Sequence, residues 1–177
     1  MSTADRERWD ARYAGLDAGE PGPPAPLAGR EHLLPAAGRA LDLACGRGTV
    51  AVWLARRGLV VDAVDVSPVG LAAGRSLPGG DAVRWIEADL DDGLPVTGPY
   101  DVVVCQRFRA PALYGALAST LAPGGLLVVT VLAAAGGTDG PFRAAPGELL
   151  GAFGHLEVLH HEEARGEAEL VARAPLA

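Results

Sequence analysis

A glycine-rich turn between an apolar strand and a helix constrains this chain more than any other stretch of its sequence. Residues 39–44 read as a buried strand, Cys45-Gly46-Arg47-Gly48 follows, and a helical pattern begins at Gly48. Two glycines allow a sharp turn and let backbone N–H groups approach a ligand where a Cβ would collide. Asp42 adds a negative charge, which opposes a phosphate and favours a cationic or amino-bearing ligand. The turn therefore predicts a nucleotide-type binding site.

Short β-branched segments alternate with helical patterns after this turn. The predicted strands are 39–44, 60–65, 82–87, 101–105 and 126–132, and the predicted helices are 48–57, 67–75 and 111–121. Such alternation is typical of a parallel sheet with crossover helices on both faces. Ser67 before Pro68 predicts the start of the second helix, and Pro123-Gly124-Gly125 predicts the end of the third.

The C-terminal part has a different pattern. A short helix near 146–153 precedes two predicted strands, 156–162 and 167–172, which are joined at Ala164-Arg165-Gly166 and read as a hairpin. A dinucleotide-binding half would continue with parallel crossovers instead. The predicted fold is a Rossmann-like, three-layer α/β sandwich with a mostly parallel seven-stranded sheet and a C-terminal antiparallel hairpin strand.

Two regions are predicted along the chain. Residues 1–38 form an N-terminal helical arm, with Trp9 and Tyr13 on one side of a helix over 4–14, followed by a Gly/Pro-rich loop at 19–29 without regular structure. Residues 39–177 form the main domain, in which Trp53 and Trp85 are expected in the core.

Composition excludes several classes of function. The net charge is −7, with 22 acidic and 15 basic residues and no basic block, so binding to nucleic acid is not expected. No long apolar span is present, so no membrane association is expected, and the polar N-terminus predicts a cytoplasmic location. The four histidines lack metal-ligand spacing, so no metal is expected.

Acidic residues follow several of the predicted strands. In an open parallel sheet, ligands bind at the carboxyl ends of the strands. Asp42, Asp65, Asp89 and Cys105 lie at or just after four such ends, and Asp65 comes 19 residues after Gly46. This is close to the spacing at which a carboxylate reaches the two hydroxyls of a ribose.

Five motifs in this order resemble the class I S-adenosylmethionine-dependent methyltransferases. They are Leu41-Asp-Leu-Ala-Cys-Gly-Arg-Gly-Thr49, Val61-Asp-Ala-Val-Asp-Val-Ser-Pro68, Ile86-Glu-Ala-Asp-Leu90, Tyr100-Asp-Val-Val-Val-Cys105 and Leu121-Ala-Pro-Gly-Gly-Leu-Leu-Val-Val-Thr130. More narrowly, Arg8-Trp-Asp-Ala-Arg-Tyr13 and Leu156-Glu-Val-Leu-His-His-Glu162 resemble the small-molecule methyltransferases of the tellurite-resistance and thiopurine type.

The resemblance implies an enzyme, with S-adenosylmethionine as the cofactor, and a role for each matching residue. Asp42 and the turn at 44–48 would hold the methionine portion, Asp65 the ribose, and Asp89 with Leu90 the adenine edge. The N-terminal aromatic arm would cover the cofactor. Implied cofactor-binding residues are Trp9, Tyr13, Asp42, Ala44, Cys45, Gly46, Gly48, Thr49, Asp65, Val66, Ser67, Asp89, Leu90 and Cys105.

The acceptor side is less defined. Arg107, Phe108 and Arg109 are the candidate substrate residues, and Cys105 with Arg107 would border the transferred methyl and align the acceptor. Two arginines at the mouth of a cleft would suit an anionic acceptor. Ala44 stands where many family members have the first glycine, and the loop after Cys105 is shorter than in relatives.

A sulfonium methyl is already activated, so direct in-line transfer to a small-molecule acceptor needs little more than alignment, which can supply about 7 to 11 kcal/mol. No catalytic base stands out. Two other functions stay open: Gly46-x-Gly48-x-x-Ala51 also fits an NAD(P)-binding protein, and a protein that binds S-adenosylmethionine without turnover would act as a sensor or partner. The sequence predicts neither the acceptor nor the oligomeric state.

Overall fold

The computed structural model describes residues 3–17, 19–134, 140 and 142–176. Seven strands form a mostly parallel sheet that ends in an antiparallel hairpin, which confirms the predicted fold class. Backbone contacts divide the chain into two compact units. Unit 1 is Met1–Pro23 and Pro35–Thr97, and unit 2 is Pro24–Leu34 and Gly98–Ala177.

Unit 1 contains three parallel strands, β1 (Gly38–Leu43), β2 (Leu59–Asp65) and β3 (Val83–Glu87), which lie in the order β3-β2-β1. Asp42 pairs in register with Ala63, and Asp65 pairs with Glu87, so the carboxyl ends lie at one edge. Helix α2 packs on β1 and β2, α3 on β2 and β3, and α1 on α3. The elements are α1 (Thr3–Ala14), β1 (Gly38–Leu43), α2 (Thr49–Arg56), β2 (Leu59–Asp65), α3 (Pro68–Arg75) and β3 (Val83–Glu87), with 3₁₀ turns at Gly80–Ala82 and Leu90–Asp92.

Unit 2 contains the strand order β4-β5-β7-β6, in which only β4 and β5 are parallel. Arg165 and Gly166, both at positive φ, form the two-residue turn of the β6–β7 hairpin. The elements are β4 (Tyr100–Gln106), α4 (Tyr114–Ser119), β5 (Leu121–Leu132), α5 (Glu148–Phe153), β6 (Glu157–Ala164) and β7 (Glu167–Arg173), with 3₁₀ turns at Ala25–Leu27, Glu31–Leu33 and Pro111–Leu113.

The core of each unit follows the strand pattern. Residues 40–43 and 61–66 in unit 1, and 102–105 and 126–131 in unit 2, are buried without interruption. Continuous burial is expected for strands that are covered on both faces. In β7, burial alternates from Glu167 to Leu170 and is continuous from Leu170 to Ala172, whereas the edge strand β6 has no fully buried residue.

Several predicted elements differ from the observed ones. The predicted helix 111–121 is a 3₁₀ turn followed by the short α4, which ends at Ser119, and β5 begins at Leu121. Pro123-Gly124-Gly125 therefore lies within a strand and not at a helix end. Glycine is needed at position 125, because a Cβ at this residue would lie 2.8 Å from the Ala122 carbonyl oxygen. The loop at 19–29, predicted to lack regular structure, contains the turn at Ala25–Leu27.

The two tryptophans expected in the core are only half-buried. Arg57 lies 4.9 Å from the centre of the Trp53 ring, so a cation covers the outer face of that side chain. Trp85 donates its indole N–H to the Gly80 carbonyl oxygen at 2.8 Å, which keeps it at the rim of α3. Among the described helices, none is long and apolar enough to cross a membrane.

Candidate functional site

The turn between β1 and α2 commits its backbone N–H groups within the protein. Gly46 donates to Oδ2 of Asp65 at 2.8 Å, Gly48 donates to the Cys45 carbonyl at 2.9 Å, and Cys45 donates to the Val64 carbonyl at 3.0 Å. These three N–H groups donate within the protein, and the role of the turn in binding a ligand stays a prediction. An anionic ligand would find these donors already taken, two of them by carbonyl groups.

Asp42 is the most unusual side chain of the turn. It is 2% exposed, one of its oxygens accepts from the Ala51 N–H in the first turn of α2, and Oδ2 has no hydrogen-bond partner among the described residues. Burial, and next the charge of Asp65, raise the pKa of Asp42 to about 8. A buried oxygen without a partner is costly unless a ligand donates to it. Asp42 therefore fits a ligand that carries an amino group or a positive charge.

Asp65 ties the turn to the end of β2. Its Oδ2 accepts from Gly46, and its Oδ1 accepts from the Ser67 N–H at 2.9 Å. Burial raises the pKa of this carboxyl, while the backbone donors lower it. Each carboxylate oxygen has a second lone pair, so Asp65 can still accept from the hydroxyls of a ligand. Val66 and Ser67 are buried beside it.

Helix α1 brings the predicted aromatic residues to the same turn. A Cβ added to Gly46 would lie 2.9 Å from the Tyr13 hydroxyl, and one added to Gly70 would lie 2.9 Å from the Tyr13 ring. Trp9 stacks on Tyr13 with a centroid distance of 5.5 Å. Burial, and next the charge of Asp65, raise the pKa of Tyr13. Tyr13 thus covers the glycine turn, and the cover of a bound cofactor by the aromatic arm stays a prediction.

Asp10 holds α1 in this position. Its Oδ1 accepts from the Ser67 hydroxyl and, at 3.4 Å, from the Val69 N–H. Ser67 in turn accepts from the Gly70 N–H at 3.1 Å and caps α3, as predicted. A salt bridge between Arg6 and Glu87 joins the same helix to the end of β3. No local sequence pattern identifies Asp10, because its partner Ser67 is 57 residues away.

Gly48 has a structural role that the sequence did not reveal. A Cβ at Gly48 would lie 2.2 Å from the Trp85 ring, and one at Gly74 would lie 2.4 Å from the same ring. The Trp85 ring therefore fills the space beside Gly48 and Gly74, where neither residue has a side chain. Gly48 directly precedes Thr49, the first residue of α2. Packing alone requires glycine at position 48.

Asp89 and Leu90 follow the end of β3. Oδ1 of Asp89 accepts from the Asp91 N–H at 2.9 Å and caps the 3₁₀ turn, while Leu90 is 1% exposed. The Ala88 N–H donates to the Asp65 carbonyl at 3.0 Å, which keeps this segment at the edge where β2 ends. Unit 1 thus brings together the predicted cofactor residues except Cys105.

Cys105 and the candidate substrate residues lie in unit 2, at the end of β4. Cys105 is buried, and its thiol contacts the Phe108 carbonyl oxygen at 3.7 Å. Arg107, at φ +51, donates its N–H to the Thr130 carbonyl at 2.8 Å. Its side chain forms a 2.6 Å ion pair with Glu167 at the start of β7.

Glu148 organises a second cluster in unit 2. It accepts two hydrogen bonds from Arg109, at 2.8 and 2.7 Å, and one from the Tyr114 hydroxyl at 2.9 Å. The hydrogen bonds from Arg109 lower the pKa of Glu148. No local sequence pattern identifies Glu148 or Tyr114, because Glu148 is 39 residues from Arg109 and 34 residues from Tyr114. Arg107 and Arg109 each form an ion pair with a carboxylate, Glu167 and Glu148, and their role toward an acceptor stays a prediction.

A polar cavity of about 550 Å³ lies entirely within unit 2. It extends from Arg107, directly after β4, to the tip of the β6–β7 hairpin. The lining residues are Arg107, Glu162, Ala164, Arg165, Glu167 and Glu169. In the part of the chain that the structure describes, no group of three or more His, Cys, Asp or Glu side chains could hold a metal ion.

Comparison with known proteins assigns the central part of the chain. Residues 40–125 match the methyltransferase domain family. A ubiquinone biosynthesis O-methyltransferase of Xanthomonas axonopodis pv. citri is 35% identical over 109 residues, which are 57% of this chain and 46% of that protein. A ribosomal RNA small subunit methyltransferase C of Chromohalobacter salexigens is 33% identical over 135 residues, 71% of this chain and 38% of that protein. The chain thus spans less than half the length of these two relatives.

A solved structure is similar over its whole length. It is a TehB-like SAM-dependent methyltransferase from Corynebacterium glutamicum, with a TM-score of 0.68 and 16% identity. The match covers 98% of this chain and 100% of that one. The likeness concerns the fold.

Proposed function

Because residues 40–125 belong to the methyltransferase domain family, of the class I type that uses S-adenosylmethionine, we propose that the chain transfers the donor's methyl group to a small-molecule acceptor. The match of residues 40–125 to the methyltransferase domain family supports the predicted enzyme class and cofactor. The small size of the acceptor, the cytoplasmic location and the roles of the individual site residues belong to the proposal.

The observation that carries the proposal is the buried Asp42 carboxyl beside the glycine turn. Its open Oδ2 matches an ammonium donor, and Asp65 offers lone pairs that match the hydroxyls of a ribose. Both carboxyls lie at the carboxyl edge of unit 1, where a parallel sheet binds ligands. The residues present fit S-adenosylmethionine, which is both cationic and a nucleoside.

The mechanism needs few groups from the protein. When bound, S-adenosylmethionine supplies a methyl group on a positively charged sulfur. Asp42 and Asp65 bind and orient the two ends of the donor, and Tyr13 and Trp9 exclude water from the turn. The alignment of the acceptor by Cys105 and Arg107 stays a prediction of the sequence. Alignment of two reactants can supply about 7 to 11 kcal/mol.

The NAD(P)-binding alternative is disfavoured by the turn itself. A pyrophosphate needs free N–H donors at the start of the helix. The Gly46, Gly48 and Ala51 donors are instead committed to Asp65, the Cys45 carbonyl and Asp42. A chain that binds the cofactor without turnover remains the second candidate, because a fold does not fix an activity.

The test is calorimetric titration of the full chain with S-adenosylhomocysteine and, separately, with NAD. We expect saturable binding of the first compound only. Asp65→Ala should weaken that binding by at least about tenfold, because it removes the acceptor for a ribose and leaves the Gly46 and Ser67 N–H groups unpaired. Asp81→Ala, at an exposed position outside the turn, is the control. Saturable NAD binding without S-adenosylhomocysteine binding would reverse the choice.

Turnover is tested separately. S-adenosylhomocysteine release is measured with S-adenosylmethionine and pools of small thiols, amines and phenols. Release that depends on one pool supports the enzyme, and binding without release from any pool supports the sensor.

A further inference from the structure

Helix α1 covers the candidate donor site of unit 1, which consists of the glycine turn with Asp42 and Asp65. The Tyr13 ring lies against two glycines: a Cβ on Gly46 would be 2.9 Å from its hydroxyl oxygen, and a Cβ on Gly70 would be 2.9 Å from a ring carbon. Asp42 and Asp65 are only 2% and 5% exposed. We therefore expect that a donor reaches these carboxyls only after α1 has moved.

Helix α1 depends on its contacts with the rest of unit 1. It has 12 residues, and isolated helices of about this length are only marginally stable in water. The salt bridge between Arg6 and Glu87 joins it to the end of β3, but these side chains are 44% and 45% exposed. Exposed ion pairs contribute little to stability. The contact between Asp10 and α3 is therefore expected to be the stronger polar tie.

Asp10 bonds to the first turn of α3. Its Oδ1 accepts from the Ser67 hydroxyl and, at 3.4 Å, from the Val69 N–H. Ser67 is fully buried, and its own N–H donates to Asp65 at 2.9 Å, so the tie ends beside the donor site. Hydrogen bonds to a charged acceptor are stronger than those between neutral groups. Tyr13 follows Asp10 by three residues and lies on the same side of the helix.

From these contacts we propose that Asp10 is a positioning residue of the donor site: it holds Tyr13 on the glycine turn and has to release Ser67 and Val69 before the donor enters or leaves. The inference rests on the proposed function, because it takes S-adenosylmethionine as the ligand. Asp10 holds α1 in the free chain as well as in the bound one. It therefore slows association and dissociation alike and changes the equilibrium little. A residue that contacts the donor itself would act mainly on the dissociation rate.

The experiment measures both rates with the full chain and isotope-labelled S-adenosylhomocysteine. Rapid mixing gives the association rate, and a chase with unlabelled compound gives the dissociation rate. Asp10→Ala leaves the Ser67 hydroxyl and the Val69 N–H without this acceptor, so both rates should rise by at least about tenfold while the dissociation constant changes little. Asp10→Asn keeps an oxygen acceptor and should return both rates towards those of the natural chain.

Glu7→Ala is the matched control, because Glu7 is an exposed carboxylate on the same helix. Its rates should equal those of the natural chain. In a Tyr13→Ala background, the added Asp10→Ala change should alter the rates by no more than about twofold, since Asp10 acts through Tyr13. Unchanged rates in Asp10→Ala, faster dissociation alone, or a full effect of Asp10→Ala in the Tyr13→Ala background overturns the inference. Circular dichroism verifies that each variant is folded.

Hydrogen exchange of the free chain separates this inference from the proposed function. In Asp10→Ala the amides of α1 should exchange at least about tenfold faster than in the natural chain, while those of β1 to β3 exchange as before. If the natural chain does not bind S-adenosylhomocysteine, the proposed function is wrong, and unchanged exchange of α1 in Asp10→Ala then overturns the inference as well. Binding by the natural chain with unchanged rates in Asp10→Ala refutes the inference alone.

Discussion

At the scale of single residues, the charge state of Asp42 links the candidate site to pH. Burial raises its pKa to about 8 in the folded chain, compared with about 3.9 in an unfolded one. Between these values the folded state holds a proton that the unfolded state has lost. The stabilisation that this provides is complete below about pH 4 and is lost as the pH rises through about 8.

Asp42→Asn should remove this dependence, because an amide keeps the acceptor for the Ala51 N–H and carries no charge. We expect the free energy of unfolding of the natural chain to fall between about pH 4 and about pH 8 by up to about 1.4 kcal/mol per unit more than that of the variant. Urea unfolding at several pH values measures the difference. Asp81→Asn, at an exposed position, should behave like the natural chain. Parallel pH profiles for the natural chain and Asp42→Asn would contradict this account.

Ala44 offers a second residue-scale prediction. It has a φ of +52, in the left-handed region where a Cβ costs about 1 to 2 kcal/mol. Glycine avoids this strain but loses about 0.4 to 1 kcal/mol through the greater freedom of the unfolded chain. Ala44→Gly should therefore stabilise the fold by about 0.5 to 1 kcal/mol and leave S-adenosylhomocysteine binding intact. Chemical unfolding measures this, and Ala40→Gly, in the buried part of β1, should destabilise instead.

At the scale of elements, Glu148 joins the loop after β4 to α4 and α5. Arg109 and Glu148 are mostly shielded from water, with side chains 22% and 16% exposed. Glu148→Gln would leave the guanidinium without a charged partner, so we expect a loss of roughly 2 kcal/mol in stability. The hydrogen bonds from Arg109 lower the pKa of Glu148, so its contribution is present above about pH 4.3 and is lost as the pH falls further.

Hydrogen exchange distinguishes this effect from general destabilisation. In Glu148→Gln, the amides of α4 and α5 should exchange faster than in the natural chain, while those of β1 to β3 in unit 1 change less. Glu157→Gln serves as the control. Equal acceleration in both units would mean that Glu148 stabilises the whole fold and does not specifically hold the loop.

The sequence predicted most elements because their signals are local. The strand at 60–65 and the helix at 67–75 were found within a residue of β2 and α3, since hydrophobic period and the Ser67-Pro68 cap act over a few residues. The start of β5 could not be found in this way, because Pro123-Gly124-Gly125 resembles a helix end. Its place in a strand depends on the close approach of Tyr100, about 25 residues earlier.

The residues of the candidate site could likewise be predicted only where a local pattern identifies them. Asp42 and Asp65 follow strands and could be identified by position. The role of Asp10, the pair formed by Arg109 and Glu148, and the contact of Trp85 with Gly48 depend on partners between 37 and 57 residues apart in sequence. No local pattern contains that information. The hydrogen bonds made by the Gly46 and Gly48 N–H groups, and the ion pairs of Arg107 and Arg109, could therefore be seen only in the folded structure.

At the scale of the whole molecule, the net charge of the chain decides which of two kinds of acceptor, RNA or a small molecule, we expect. One relative is a ribosomal RNA methyltransferase, whereas this chain has a net charge of −7 and a sequence pI near 5.0. RNA binding depends on neutralising phosphates with lysine and arginine, and the field of an acidic chain opposes it. We therefore expect methyl groups to reach small molecules and not RNA.

Labelled S-adenosylmethionine, incubated with the chain and a cell extract, tests this expectation. After separation by size, label should appear in the small-molecule fraction. It should be absent from ribosomal RNA and from isolated small ribosomal subunits. Low ionic strength strengthens any phosphate contact, so a negative result there is the most stringent form of the test. Boiled protein is the control for label that is carried over. Label in RNA that rises at low salt would show that a local basic surface outweighs the net charge, and the small-molecule proposal would then be wrong.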